Sequence, residues 1–159
     1  MLKPNLYLDS ILQITPKLLE EIGVCAIILD VDNTIREYGK KEVEYGVLKW
    51  VNSIKEAGIS IVILSNNLNK SVEPVAKILN LPYYGLGFKP FPFGFNKVIS
   101  KLNISKKEIV VVGDQIFTDI FGGNLKGLKT ILIKPIGKEK GLFWKIRRNI
   151  ENIILKKFK

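Results

Sequence analysis

The chain contains no histidine, a single cysteine and a single methionine among its 159 residues. Without histidine, triads built on an imidazole base and most zinc sites are excluded. Acid–base or metal chemistry would fall to carboxylates, lysine, tyrosine or the lone thiol. Cys25 has no other cysteine to pair with and sits inside an apolar run, as a small core residue would. So little cysteine fits a reducing cytoplasm, which is the expected location. No apolar run approaches the roughly 20 residues that a bilayer span requires. The segment Met1–Ser10 lacks the apolar stretch of a signal peptide. Acidic residues are the minority charge, 15 against 25 basic, which leaves a net charge of +10.

What is present reads as an ordinary soluble globular composition, 47% hydrophobic and 25% charged. A chain of this length forms one domain, expected over residues 1–159, with a sizeable core. Thr15-Pro16 ahead of Leu18, Leu19 and Ile22 predicts a capped helix. Short β-branched runs at 24–29, 59–64 and 109–112, with shorter ones near 81–84 and 130–133, predict buried parallel strands. Helical spacing falls between them: Val47, Leu48, Val51 and Ile54; Val72, Val75, Ala76 and Leu79, with Ser71 as cap and Pro74 in the first turn; Phe95, Val98, Ile99 and Leu102; and Phe117, Ile120, Phe121 and Leu125. Gly58 and Gly127 terminate two of these helices. Alternating strands and helices with short connections imply right-handed βαβ units. The expected fold is a doubly wound, Rossmann-like parallel sheet of about five strands in three α/β/α layers.

The acids begin where strands end. Asp30-Val-Asp-Asn-Thr-Ile35 follows the first run, and Gly113-Asp-Gln-Ile-Phe-Thr-Asp119 follows the run at 109–112. Strand C-terminal edges are where open α/β sheets bind ligands. Crowded carboxylates there call for a cation, so the pattern suggests a metal site. Asp30 and Asp32 lie two apart and project the same way from extended backbone. Ser65 ends the second strand and Lys89-Pro90 follows the third. Each has a plain structural reading as well: turn and cap residues for Ser65, Asp114 and Asp119, a solvated loop position for Lys89. Their joint placement at one sheet edge favours chemistry.

In that order the residues resemble the haloacid dehalogenase superfamily. Asp30-Val-Asp-Asn-Thr matches its first motif, Ser65 its second, Lys89 its third and Gly113-Asp-Gln-Ile-Phe-Thr-Asp119 its fourth. Ser65-Asn66-Asn67, Lys89-Pro90, Thr118-Asp119 and Gly122-Gly-Asn124 resemble the YqeG-type phosphatases, which are similar in turn to mitochondrial phosphatidylglycerophosphate phosphatases. The resemblance implies that Asp30 is a nucleophile forming an aspartyl-phosphate. Asp32 would be the general acid and base, its pKa raised by nearby negative charge. Mg²⁺ would be held by Asp30, the Asp32 carbonyl and Asp114. Ser65, Asn66 and Lys89 would bind the phosphoryl group, and Asp119 would be an outer acceptor around the metal or an anchor for Lys89. Too few residues separate Asp32 from the helix at Val47, or Ser65 from Lys89, for a folded cap. The open site this leaves suits a substrate whose bulk stays outside.

The last 22 residues hold eight basic against two acidic residues. Phe143, Ile146, Ile150, Ile153 and Ile154 define one apolar face, so residues 141–159 read as a basic amphipathic helix. It either lies in an anionic membrane interface, with Trp144 at its edge, or packs that face on the sheet with its charges in water. The catalytic candidates all precede Gly122, so this tail is expected to be dispensable for the chemistry. The leading expectation is a Mg²⁺-dependent phosphatase of phosphatidylglycerophosphate, cytoplasmic or peripheral at the inner membrane face. The alternatives are a phosphatase of a soluble sugar or nucleotide phosphate, and a nucleic-acid-binding protein on the same scaffold. A basic tail with an apolar face suits lipid better than nucleic acid.

Overall fold

The computed structural model describes residues 1–137 and 142–158, and of residues 142–144 the backbone alone. The side chains of Phe143 and Trp144, together with Gly141 and Lys159, lie outside the described residues. Six strands form one parallel sheet in the order β1-β6-β5-β2-β3-β4. They are β1 (Leu6–Leu8), β2 (Ala26–Leu29), β3 (Ser60–Leu64), β4 (Tyr83–Tyr84), β5 (Ile109–Gly113) and β6 (Lys129–Ile133). Five correspond to the apolar runs. The sixth, β1, is an edge strand paired with β6, and its length of three residues, between Asn5 and Asp9, hides it in the sequence.

The helices are α1 (Pro16–Glu21), α2 (Val47–Glu56), α3 (Asn69–Leu79), α4 (Pro92–Leu102), α5 (Phe121–Leu125) and α6 (Leu142–Lys156). Side-chain alternation along the strands divides the core. Ile27, Leu29, Ile61, Ile63, Val110 and Val112 pack with α2 and α3 on one face. Ile28, Val62, Leu64 and Val111 pack with Phe95 and Val98 of α4 on the other. Thr15 caps α1 through its hydroxyl, which accepts from the Leu18 N–H at 3.1 Å. Gly58, in the left-handed region at φ +80, closes α2.

Two local expectations shift. Helix α3 starts at Asn69, so Ser71 lies inside it and Pro74 deeper than the first turn. Ser71 is drawn inward because its carbonyl and hydroxyl accept from the Arg36 guanidinium at 2.8 and 2.9 Å. The helix expected after Asp114 opens instead as a wide π-type turn, Ile116–Ile120, before α5. Such turns are rare and concentrate at functional sites. This one points Asp119 back beneath the end of β5.

Topology places the site. The connections from β2 and β5 leave in opposite directions, towards β3 and β6 respectively, which opens a crevice at the strand C-termini. Leu29 is in register with Val112 on one side and Ile63 on the other. Asp30, Ser65 and Asp114 therefore emerge side by side.

Candidate active site

Burial governs everything about this cluster. Asp30, Ser65, Lys89, Asp114 and Asp119 are all buried, so each charge needs a partner within the protein. Lys89 supplies most of it. Its ammonium donates to Asp30 Oδ1 at 2.8 Å, to Asp119 Oδ1 at 2.7 Å and to the Leu64 carbonyl at 2.8 Å. All three N–H bonds are thereby used. Burial works against the lysine's charge, but the Asp119 and Asp30 carboxylates outweigh it and hold the group protonated above the ordinary lysine range.

Asp119 has both oxygens engaged, Oδ1 by Lys89 and Oδ2 by the Gln115 N–H at 3.2 Å. Of the two roles expected for it, the anchoring of Lys89 is the contact formed. Gly113 makes that possible, because a Cβ there would stand 2.3 Å from the Asp119 carboxyl. Burial and the Asp30 charge push the Asp119 carboxyl up to about 6, against the pull of Lys89. Asp114 is also held well above the usual carboxylate range by burial and by Asp30 and Asp119, with Arg148 opposing. Carboxylate oxygens of Asp30, Asp114 and Asp119 all lie within 4.8 Å of one another.

Asp32 departs from expectation. Its Oδ1 accepts from Arg36 Nε at 2.8 Å and its Oδ2 from Asn67 Nδ2 at 3.0 Å. The neighbours are a buried cation and an amide, where negative charge was expected. They orient the carboxylate at the edge of the cavity. Thr34 contributes a hydroxyl 3.1 Å from Asp30 Oδ2 and 3.4 Å from Asp114 Oδ1, bridging the two motifs.

Asn66 has a structural task beside its place in the cavity lining. Its side-chain oxygen accepts from the Lys89 N–H at 2.7 Å and its amide donates to the Lys89 carbonyl at 2.9 Å. The side chain clamps the lysine's backbone and keeps one further amide N–H. Ser65 is buried, lines the cavity and accepts from the Asn67 N–H through its hydroxyl at 3.1 Å.

The cavity measures about 310 Å³ and is lined by Asp30, Asp32, Asn33, Tyr38, Ser65, Asn66, Asn67, Lys89, Gln115, Thr118 and Arg147. Arg147 brings the C-terminal helix into the site, and Arg148 goes further. Its guanidinium pairs with Asp114 Oδ2, donates to the Asp114 carbonyl at 2.7 Å and reaches Glu151 Oε2 at 2.9 Å. Glu151 is buried and accepts from the Ile116 N–H at 3.2 Å. Helix α6 thus docks by its charged side, with Ile154 and Leu155 packing on Ile116, Ile120 and Leu132. Of the apolar face read from the sequence, Ile154 packs inward, while Ile146, Ile150 and Ile153 are 51, 46 and 57% exposed. The buried charge of Asp114 demands a cation, and meeting that demand fixes the helix's rotation. Thr34 and Asn67 sit within the quoted motifs. Arg36, Arg147 and Arg148 carry no local signal, since only packing selects them from 25 basic residues.

Comparison with known proteins agrees with this geometry. The family model of haloacid dehalogenase-like hydrolases matches residues 15–125. The chain is 34% identical over 156 residues to "Probable phosphatase YqeG" of Bacillus subtilis (strain 168), covering 98% of this chain and 91% of that protein. An uncharacterised protein from Listeria monocytogenes serotype 4b has the same fold, with a TM-score of 0.60 at 19% identity over 75% of this chain and 85% of that one. A haloacid dehalogenase-like hydrolase from Brucella suis 1330 aligns with a TM-score of 0.55 at 10% identity, over 78% and 98% of the two chains. The chain belongs to the haloacid dehalogenase-like hydrolase family, and within it to the phosphoric monoester hydrolases.

Proposed function

We propose that this phosphatase works through an aspartyl-phosphate on Asp30 and acts on phosphatidylglycerophosphate at a membrane surface. The observation that carries the chemistry is the Lys89 ammonium held on Asp30 and Asp119 beside buried Asp114. A carboxylate oxygen of Asp30 attacks phosphorus in line, and the bond to the leaving oxygen breaks as that oxygen takes a proton from Asp32. Asp32 then accepts a proton from water, whose oxygen attacks phosphorus and frees Asp30. Lys89 and the Ser65 hydroxyl offset charge on the phosphoryl oxygens.

The donor set fits Mg²⁺, which takes hard oxygen ligands. Three buried carboxylates gather within 4.8 Å, and the raised proton affinities of Asp114 and Asp119 mark a shortage of positive charge. Asp30 and Asp114, with the Asp32 carbonyl, are the residues that would hold the ion, Asp119 being committed to Lys89. Mg²⁺ bound there would neutralise charge developing on the transferred group.

For the substrate, support comes from the uncapped cavity and from α6, which turns Ile146, Ile150 and Ile153 outward next to basic residues such as Lys145 and Lys156. Among the described residues no helix is long and apolar enough to cross a membrane. A peripheral location at the inner membrane face follows from the reading. The test is turnover of phosphatidylglycerophosphate beside a panel of soluble sugar and nucleotide phosphates, with chelator and with added Mg²⁺. Preference for the lipid, lost in chelator and restored by Mg²⁺, is expected. A soluble ester as the best substrate would overturn the lipid assignment, and full activity in chelator the metal.

A further inference from the structure

The loop that carries Lys89 presents an apolar surface unrelated to the chemistry described above. Leu86, Phe88, Phe91 and Phe93 are 44, 61, 63 and 73% exposed, within eight residues of chain. A groove of about 500 Å³ runs beside them, floored by Leu64, Tyr84 and Gly94. Scattered apolar residues on a surface need no explanation, but a contiguous aromatic cluster does.

The backbone holds these side chains outward at a cost. Leu86 and Phe88 both sit in the left-handed region, at φ 50 and 51, which bulky residues rarely adopt. The loop is pinned there by hydrogen bonds from Leu86 N–H to the Asn67 carbonyl, from Gly87 N–H to the Ser65 carbonyl and from Phe91 N–H to the Phe88 carbonyl, at 2.8, 2.8 and 2.9 Å. Gly94 lets α4 press against it, since a Cβ there would stand 2.6 Å from the Gly87 carbonyl oxygen. Phe91 also occupies the N-cap of α4 and makes no side-chain cap bond. That position ordinarily favours serine, threonine, aspartate or asparagine. Folding alone accounts for neither choice.

Charge identifies the occupant. Residues 74–107 contain no aspartate or glutamate and six lysines, and one of these, Lys97, lines the groove with its ammonium over the Tyr84 ring at 4.7 Å. An aromatic groove with Lys97 and no acid in its lining matches an anionic bilayer interface. Phe88 adjoins Lys89, so a bilayer met by this loop lies next to the reacting centre. We infer that the Leu86–Phe93 loop is a lipid-insertion edge, seating the active site on an anionic bilayer. The inference rests on the lipid-substrate reading but is tested apart from it.

The full chain and the double variant F91S/F93S are sedimented with vesicles of phosphatidylcholine, alone or mixed equally with phosphatidylglycerol. Serine at position 91 supplies the missing cap, so the variant should fold. Partition onto the mixed vesicles should fall about tenfold or more, as expected for losing two phenyl groups from an apolar environment. Cleavage of p-nitrophenyl phosphate should not change. As a second measurement, F93W should show a blue-shifted emission on the mixed vesicles relative to wild type. Equal partition of variant and wild type, or no shift in F93W, overturns the inference. So does a dimer in solution that F91S/F93S abolishes, which would make a second copy the occupant. Loop-dependent vesicle binding without cleavage of phosphatidylglycerophosphate would sink the substrate reading and leave this one standing. Equal cleavage of vesicle-borne substrate by variant and wild type would do the reverse.

Discussion

Asp30 and Asp32 sit two residues apart but meet different surroundings, and their variants should fail differently. Asp30 lies against the Lys89 ammonium and the Thr34 hydroxyl. Asp30→Asn should abolish turnover, because an amide is a poor nucleophile. Asp32→Asn should keep Mg²⁺ binding through the backbone carbonyl and lose roughly 10²–10⁴-fold in kcat from acid–base catalysis. Lys89→Met should lower activity and also cost about 3–5 kcal/mol in denaturant unfolding, since it strands Asp30 and Asp119 as buried charges. A variant as stable as wild type would mean the triad carries no structural weight. At this scale the acids, Ser65 and Lys89 were legible because chemistry-bearing residues stand directly after apolar runs. Arg36 on Asp32 was not: the two lie only four residues apart, but the guanidinium is also held by Ser71, 35 residues on. Nor was the Asn66 clamp on Lys89, which joins segments 23 residues apart.

Elements were legible where periodicity and caps agree, as for β2, β3, β5 and α2. They were less so where one side chain's charge overrides the apolar pattern. Helix α6 is the instructive case: its isoleucine stripe leaves two readings open, and most of the stripe faces outward because Arg148 and Glu151 answer buried polar groups at Asp114 and Ile116. These contacts tie the tail to the site. Truncation after residue 141 should reduce cleavage of soluble esters as well as lipid, by removing Arg147 from the cavity and Arg148 from Asp114. A milder change, Arg148→Gln, removes a cation that competes for Asp114. It should lower the melting temperature of metal-free protein yet reduce the Mg²⁺ concentration needed for half-maximal activity. An increased Mg²⁺ requirement would instead assign Arg148 to holding Asp114 in place for the ion.

For the molecule as a whole, the parallel sheet gathers three buried carboxylates, two of which, Asp114 and Asp119, ionise reluctantly, and this couples stability to pH and metal. Asp119, raised to about 6, and Asp114, also raised, bind protons more tightly folded than unfolded. Their contribution to stability is fully present below the ordinary carboxylate range; that of Asp119 is lost as pH rises through about 6, and that of Asp114 as pH rises through its own raised value. Mg²⁺ should offset that loss. The rise in melting temperature on adding Mg²⁺ should therefore be larger near pH 7.5 than near pH 5, and an equal rise at both would detach the ion from these acids. The doubly wound topology was readable because strands, helices and short connections alternate throughout. The exposed aromatic loop was not, since its glycines and prolines read as ordinary turn chemistry and exposure is a tertiary property. The most direct test of the central claim is to quench the Asp32→Asn variant in acid during reaction with a ³²P-labelled phosphate monoester and map the label. The account predicts an alkali-labile phosphate on the peptide containing Asp30, absent from Asp30→Asn. Label on another residue, or unimpaired turnover by Asp30→Asn, would contradict it.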